Sequence, residues 1–275
     1  MNKITKPSVY ANRTAAGDEM VSPAASRSLS PRQRAMVIAA DRLILGLTRH
    51  WLLVFNLVIA IYVGLPLLAP ILMQAGFEGA GGVIYSLYST QCHQLPQRSF
   101  FLFGSRPMYA LTEIQAAWFD TNNPMVLRQF IGGAEWGWKV AWSDRMVFMY
   151  TALLAAGLLY GLVRRYLRPL PLWGLGLFFL PMALDGGSHM ISDLAGIGQG
   201  FRYTNAWLAA LTDHSLPATF YAGDALGSFN SWLRLITGLL FGIGAVWFAY
   251  PHLETYMRET RTTLEKKLRR AGVIN

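Results

Sequence analysis

Apolar residues fill four stretches of the chain, 51–73, 146–163, 170–184 and 229–250, without the alternation of a half-buried strand. A run of about 20 such residues, wound as a helix, crosses the roughly 30 Å of hydrocarbon in a bilayer. Stretches 51–73 and 146–163 hold no charge, 170–184 carries two prolines, and 229–250 carries one cation, Arg234. Ahead of them, Met36, Val37, Ala40, Leu43, Ile44 and Leu47 recur at helical spacing among Arg32, Arg34, Arg42 and Arg49. That pattern, opening on Ser30-Pro31, predicts an amphipathic helix on an anionic membrane surface. Residues 1–30 show no periodicity and read as a disordered tail, and 1–31 lacks the apolar core of a secretory signal peptide. The predicted architecture is an all-α integral membrane bundle of about four transmembrane helices with amphipathic interfacial helices. The membrane domain covers 31–252, two long connections span 74–145 and 186–228, and 253–275 forms a basic C-terminal helix.

Composition agrees with this pattern. Charged residues make up 14% of the 275, against about 25% in soluble domains. The net charge of +9 raises the question of nucleic acid, but its distribution answers it. Of the 24 Lys and Arg, eight precede the first span, three lie in the turn 164–169 and six follow the last span. The two long connections hold six between them. By the positive-inside rule both termini are cytoplasmic and both connections face outward, which four spans permit. The basic charge is therefore topological and lipid-facing, and no nucleic-acid partner is expected. These features place the chain as a multi-pass protein of a bacterial cytoplasmic membrane. The lone cysteine, Cys92, excludes an intrachain disulfide and any zinc finger built on several cysteines. Two Gly-x-x-x-Gly pairs, Gly157 with Gly161 and Gly238 with Gly242, read as helix-packing signals.

The residues able to carry chemistry lie in the outward half. Asp185, His189 and Asp193 repeat every four residues, so a helix would align them as oxygen and imidazole ligands for a divalent metal such as Zn, Mn or Fe. Gly186-Gly187 opposes a regular helix there. Asp185 ends the third span and Arg234 opens the fourth, so the two are expected to meet. The pair either orients two helices or serves as an anion clamp, Arg234 gripping and Asp185 supporting it or binding metal. Cys92 and His93 are adjacent, so their side chains diverge; Cys92 is either a small buried core residue or part of the site. The three tryptophans Trp136, Trp138 and Trp142 read as an interfacial anchor.

Three segments together carry a resemblance: Cys92, His93, Gln94, Pro96, Arg98, Ser99 and Phe100; then Asp185-Gly186; then Asn230, Arg234, Thr237 and Gly238. In order and membrane placement the chain resembles the DUF2085 family of uncharacterised bacterial and archaeal membrane proteins. It departs from the family in having Tyr109-Ala-Leu-Thr where many members carry a Cys-x-x-Cys-like pair, and in an expanded stretch between Asp193 and Asn230. The resemblance implies a membrane class and candidate residues but no reaction. The expected site is a polar cluster at the outer membrane interface. Asp185, Arg234, His93 and Cys92 stand as catalytic candidates, and Arg98, Gln94 and Asn230 as binding residues. Its uses divide between a metal-assisted enzyme acting on a lipid or phosphate-bearing substrate, a structural or assembly subunit of a membrane complex, and a transport accessory protein. Partners would be the bilayer, with further copies or subunits.

Overall fold

The computed structural model describes residues 30–275; the expected tail, Ser30 apart, lies outside them. In chain order the helices are α1 (Pro31–Arg49), α2 (Trp51–Gln74), α3 (Glu78–Tyr88), α4 (Leu111–Ala117), α5 (Pro124–Leu127), α6 (Asp144–Val163), α7 (Leu172–Asp193), α8 (Phe201–Thr204), α9 (Ala206–Leu211), α10 (Ala218–Tyr221) and α11 (Phe229–Arg270). Three strands interrupt them: β1 (Ser99–Leu102), β2 (Gly132–Gly133) and β3 (Gly137–Ser143).

Helix α1 begins at a reciprocal cap, the Ser30 hydroxyl accepting from Gln33 N–H while the Gln33 side chain accepts from Ser30 N–H. Helices α2, α6 and α11 are long and apolar enough to cross a membrane, with mean hydropathies of 2.4, 2.0 and 1.6. The expected third span belongs to α7, which runs unbroken through Gly186-Gly187 to Asp193 and so carries Asp, His and Ser in its second half. Those polar residues keep it below the apolarity of the other three. Helix α11 is one continuous helix of 42 residues, so the span and the basic C-terminal helix are a single rod with Pro251 inside it.

The fold is mostly helical but not all-α. An antiparallel sheet ordered β1-β3-β2 pairs Phe101 with Lys139 and Leu102 with Trp138, then Gly133 with Gly137. The β2–β3 turn closes on glycine for a steric reason. Gly137 has φ +73°, and a Cβ there would stand 2.3 Å from both Leu102 O and Gly104 N. Tryptophan 142, expected at an interface, is instead fully buried and stacked on Tyr150 at 4.9 Å.

The core has three parts. Val63, Ala69 and Met73 of α2 pack with Tyr85 and Tyr88 of α3 and Val140–Trp142 of β3. Leu95, Phe101, Tyr109, Ile114 and Leu127 form a second group in the first long connection, joined by Ile197. Trp51, Tyr160, Val246 and Tyr250 close the opposite end of the bundle. Helix α11 packs against α6, α7 and α1. Its docking on α1 is polar: Lys267 Nζ stands 2.7 Å from Asp41, and Arg49 Nη2 is 2.9 Å from Glu265. The second half of α1 and the end of α11 thus lie together at one end of the molecule, away from the sheet.

Candidate functional site

Two helices face each other with polar stripes. On α11 the Ser228 hydroxyl caps the first turn, and Asn230, Arg234 and Thr237 follow at i, i+4 and i+7 with 0%, 2% and 3% exposure. On α7 Asp185, His189 and Ser192 hold the same spacing and are also buried. Into the gap between them come Arg98, from the turn Pro96–Arg98, Asp144 and Arg145 at the start of α6, Arg202 on α8, and Asp224 from the loop before α11.

Four guanidiniums and four carboxylates meet here. Arg98 holds Asp193 with two nitrogens at 2.6 and 2.8 Å and Asp224 with its Nε at 2.8 Å. Arg234 gives Nε to Asp144 at 2.7 Å, Nη1 to Asp224 Oδ1 at 2.9 Å, and Nη2 to the Asp224 carbonyl. Arg202 Nη2 binds Asp185 Oδ1 at 2.7 Å, Nη1 binds Ser188 Oγ at 2.7 Å, and Nε reaches Asn230 Oδ1 at 3.2 Å. Each of these three Arg has all three side-chain nitrogens hydrogen-bonded. Arg145 differs: its Nη1 makes an ion pair with Asp185 Oδ2 at 2.7 Å, outside hydrogen-bonding geometry, and has no second partner among the described residues. Burial works against ionisation of Asp224, yet Arg98 and Arg234 beside it outweigh that and hold its carboxyl well below the usual range.

A cavity of about 500 Å³ opens beside this network. Its lining includes the polar residues Cys92, His93, Gln94, Arg98, Asp144, Arg145, His189, Asp193 and Arg234 and the apolar residues Leu95, Met146, Met190, Leu194 and Ile197. His189 is 5% exposed, and neither ring nitrogen has a hydrogen-bond partner among the described residues. Buried polar atoms are almost always paired, so a two-nitrogen exception in a cavity wall needs a cause.

The expected contacts are corrected at several points. Arg234 does not pair with Asp185: it takes Asp144 and Asp224, while Asp185 takes Arg202 and Arg145. Thr237 Oγ1, 3.5 Å from Asp185 Oδ2, is what links α11 to that carboxylate. Asp185, His189 and Asp193 do share a helix, but among the described residues no three His, Cys, Asp or Glu side chains converge as ligands of one metal would. The physical reason is that both carboxylates are engaged by guanidiniums. Gln94 and Asn230 both make hydrogen bonds that hold the framework, and Gln94 also lines the cavity. Gln94, in a left-handed conformation at φ 51°, donates to Tyr85 O and Ala141 O and so ties α3 to β3. Asn230 donates to Arg202 O and Gly223 O and does not reach the cavity. Cys92 Sγ lies 3.5 Å from Ser143 Oγ and accepts from Gln94 N–H, and His93 is exposed at the cavity wall.

Lys139 is a further buried charge that the pattern did not reveal. It is fully enclosed on β3, where Nζ donates to Gln94 O at 2.9 Å and Arg128 O at 2.8 Å. Burial pushes its pKa down to about 7. It pins the Cys92–Gln94 segment to the sheet and so fixes one wall of the cavity. Asp144, Arg145, Arg202 and Asp224 also escape a sequence reading, because each is one charge at an element end and only folding shows its partner.

The comparisons with known proteins bear on this region. The family model described as "Predicted membrane protein (DUF2085)" matches residues 135–248, which hold Lys139, Asp144, Asp185, Asp224 and Arg234 but not the Cys92–Arg98 segment. An uncharacterised protein of Methanocaldococcus jannaschii is 25% identical over 134 residues, covering 47% of this chain and 62% of its own length. The chain therefore spans about three fifths of that relative. No solved structure matches. The resemblance to DUF2085 is borne out by this match over residues 135–248, which takes in the Asp185 and Asn230–Gly238 segments.

Proposed function

We propose that this protein is a four-span protein of the bacterial cytoplasmic membrane, termini inside, whose outer end binds the headgroup of an amphiphilic ligand. The fourth span in this reading is α7. The carrying observation is His189, buried in the cavity wall with both ring nitrogens unmatched. Leaving such a group unpaired costs about 1–3 kcal/mol, a cost that a ligand would offset. The lining combines polar and charged side chains with Leu95, Met146, Met190, Leu194 and Ile197, a mixture that suits a headgroup with an acyl or prenyl chain. The same cavity would serve an enzyme acting on such a ligand, with His93 and Cys92 at its rim.

A second reading, that of an assembly or structural subunit, is supported by the balance of four Arg against four Asp, which needs nothing added to be neutral. The test is to purify the whole chain in mild detergent, extract it with organic solvent and identify co-purified amphiphiles by mass spectrometry. Near-stoichiometric amphiphile in the wild type, lost in His189→Leu, supports the binding reading. Equal recovery from both, or none from either, leaves the structural subunit.

A further inference from the structure

We infer that Arg145 anchors the ligand and that the ligand's headgroup is an oxyanion, a phosphate or carboxylate; this rests on the binding reading above. Arg98 and Arg234, the cations that the sequence points to for this role, have every side-chain nitrogen hydrogen-bonded to an aspartate. An anion could reach them only by displacing a carboxylate. Arg145 lines the same cavity with a guanidinium paired through Nη1 alone, 2.7 Å from Asp185 Oδ2, among the described residues. It can turn toward a ligand without stranding its neighbour, since Asp185 keeps Arg202 at 2.7 Å and Thr237 at 3.5 Å.

His189, with both ring nitrogens unmatched among the described residues, lines the same cavity and supplies a further N–H for an oxygen of the same headgroup. A planar guanidinium and an imidazole on one wall match the several acceptor oxygens of a phosphate or carboxylate. A neutral hydroxyl headgroup would accept from Arg145 without the charge assistance that an oxyanion gives. Gly186 makes room for this arrangement: a Cβ at that position would lie 3.4 Å from Arg145 Nη1, so a larger side chain meets the guanidinium itself.

The experiment is a binding titration on the full chain in maltoside detergent, with three probes: dihexanoyl phosphatidate, dihexanoylglycerol and inorganic phosphate. Wild type is compared with Arg145→Gln, Arg145→Lys and Gly186→Leu. The expected result is phosphatidate binding that weakens about 10- to 100-fold in Arg145→Gln, as for loss of a charge-assisted hydrogen bond, and that is partly kept in Arg145→Lys. Gly186→Leu, which removes no charge, should weaken it similarly and covers the case in which Arg145→Gln does not fold. If inorganic phosphate binds with the same dependence on Arg145, the source is a free oxyanion; if only phosphatidate does, it is a lipid headgroup. Phosphatidate binding equally to wild type, Arg145→Gln and Gly186→Leu overturns the anchor. Dihexanoylglycerol binding as tightly as phosphatidate removes the oxyanion while leaving the amphiphile site. Failure of all three probes on wild type removes both readings.

Discussion

Arg145 and Arg234 bring the same guanidinium to the same cavity, the first paired through one nitrogen and the second through all three. Arg234, 2% exposed, is the sole side-chain partner of the fully buried Asp144 carboxylate. Arg234→Ala should therefore lower stability by about 3–5 kcal/mol, the usual cost of stranding a buried charge. Arg234→Met with Asp144→Leu should recover much of that, because Asp224 retains Arg98; unfolding midpoints in detergent would show it. His189→Leu should do the reverse and hold or raise the midpoint, since it removes two unmatched nitrogens at similar volume. Lys139 adds a pH dependence. Its folded pKa is near 7 and its unfolded value is 10.5, so between them the unfolded chain binds the extra proton. Stability should thus rise from about pH 7 toward pH 10, by up to about 1.4 kcal/mol per unit, and Lys139→Met should lose that rise. Asp185, His189 and Arg234 were legible in the sequence because a polar residue in an apolar run is conspicuous. Their partners were not, because the Arg98–Asp224 and Arg234–Asp144 contacts join residues 126 and 90 positions apart.

The helices followed the apolar pattern, and the departures have local causes. Helix α7 passes through Gly186-Gly187 because its backbone bonds are kept and neighbouring helices hold it, so glycine's propensity cost does not decide. The sheet was hidden because β3 is buried on nearly all its length, which erases the alternation that marks a half-exposed strand. The small-residue spacing on α11 was legible and is used. A Cβ on Gly242 would lie 2.6 Å from Met149 O and 2.7 Å from Leu153 N of α6. Gly242→Leu should force α6 and α11 apart and cost upward of about 1–3 kcal/mol. Gly64→Leu on α2, where a Cβ meets nothing within 4 Å, is the control expected to change little. Thermal midpoints of the two variants would separate them.

Orientation belongs to the whole molecule. The salt bridges between α1 and α11 put the second half of the first helix and the end of the last at one end, and the sheet and cavity lie at the other. With the Lys and Arg asymmetry, this predicts a cytoplasmic face for the paired helices. In a Cys92→Ser background, Asn275→Cys should react with a membrane-impermeant thiol reagent only after the membrane is opened, and Ser105→Cys in intact cells. The reverse labelling would invert the topology and carry the cavity to the cytoplasmic side.

The Arg234–Asp144 pair also sets a schedule for biosynthesis. Asp144 leaves the ribosome 90 residues ahead of the cation it needs, which at 5–20 residues per second is a delay of about 5–18 s. Throughout that delay the carboxylate at the head of α6 has no guanidinium from α11 to meet. A chain stopped before residue 229 never closes the network, so quality-control proteases would read the missing last helix as an exposed charge at the membrane boundary.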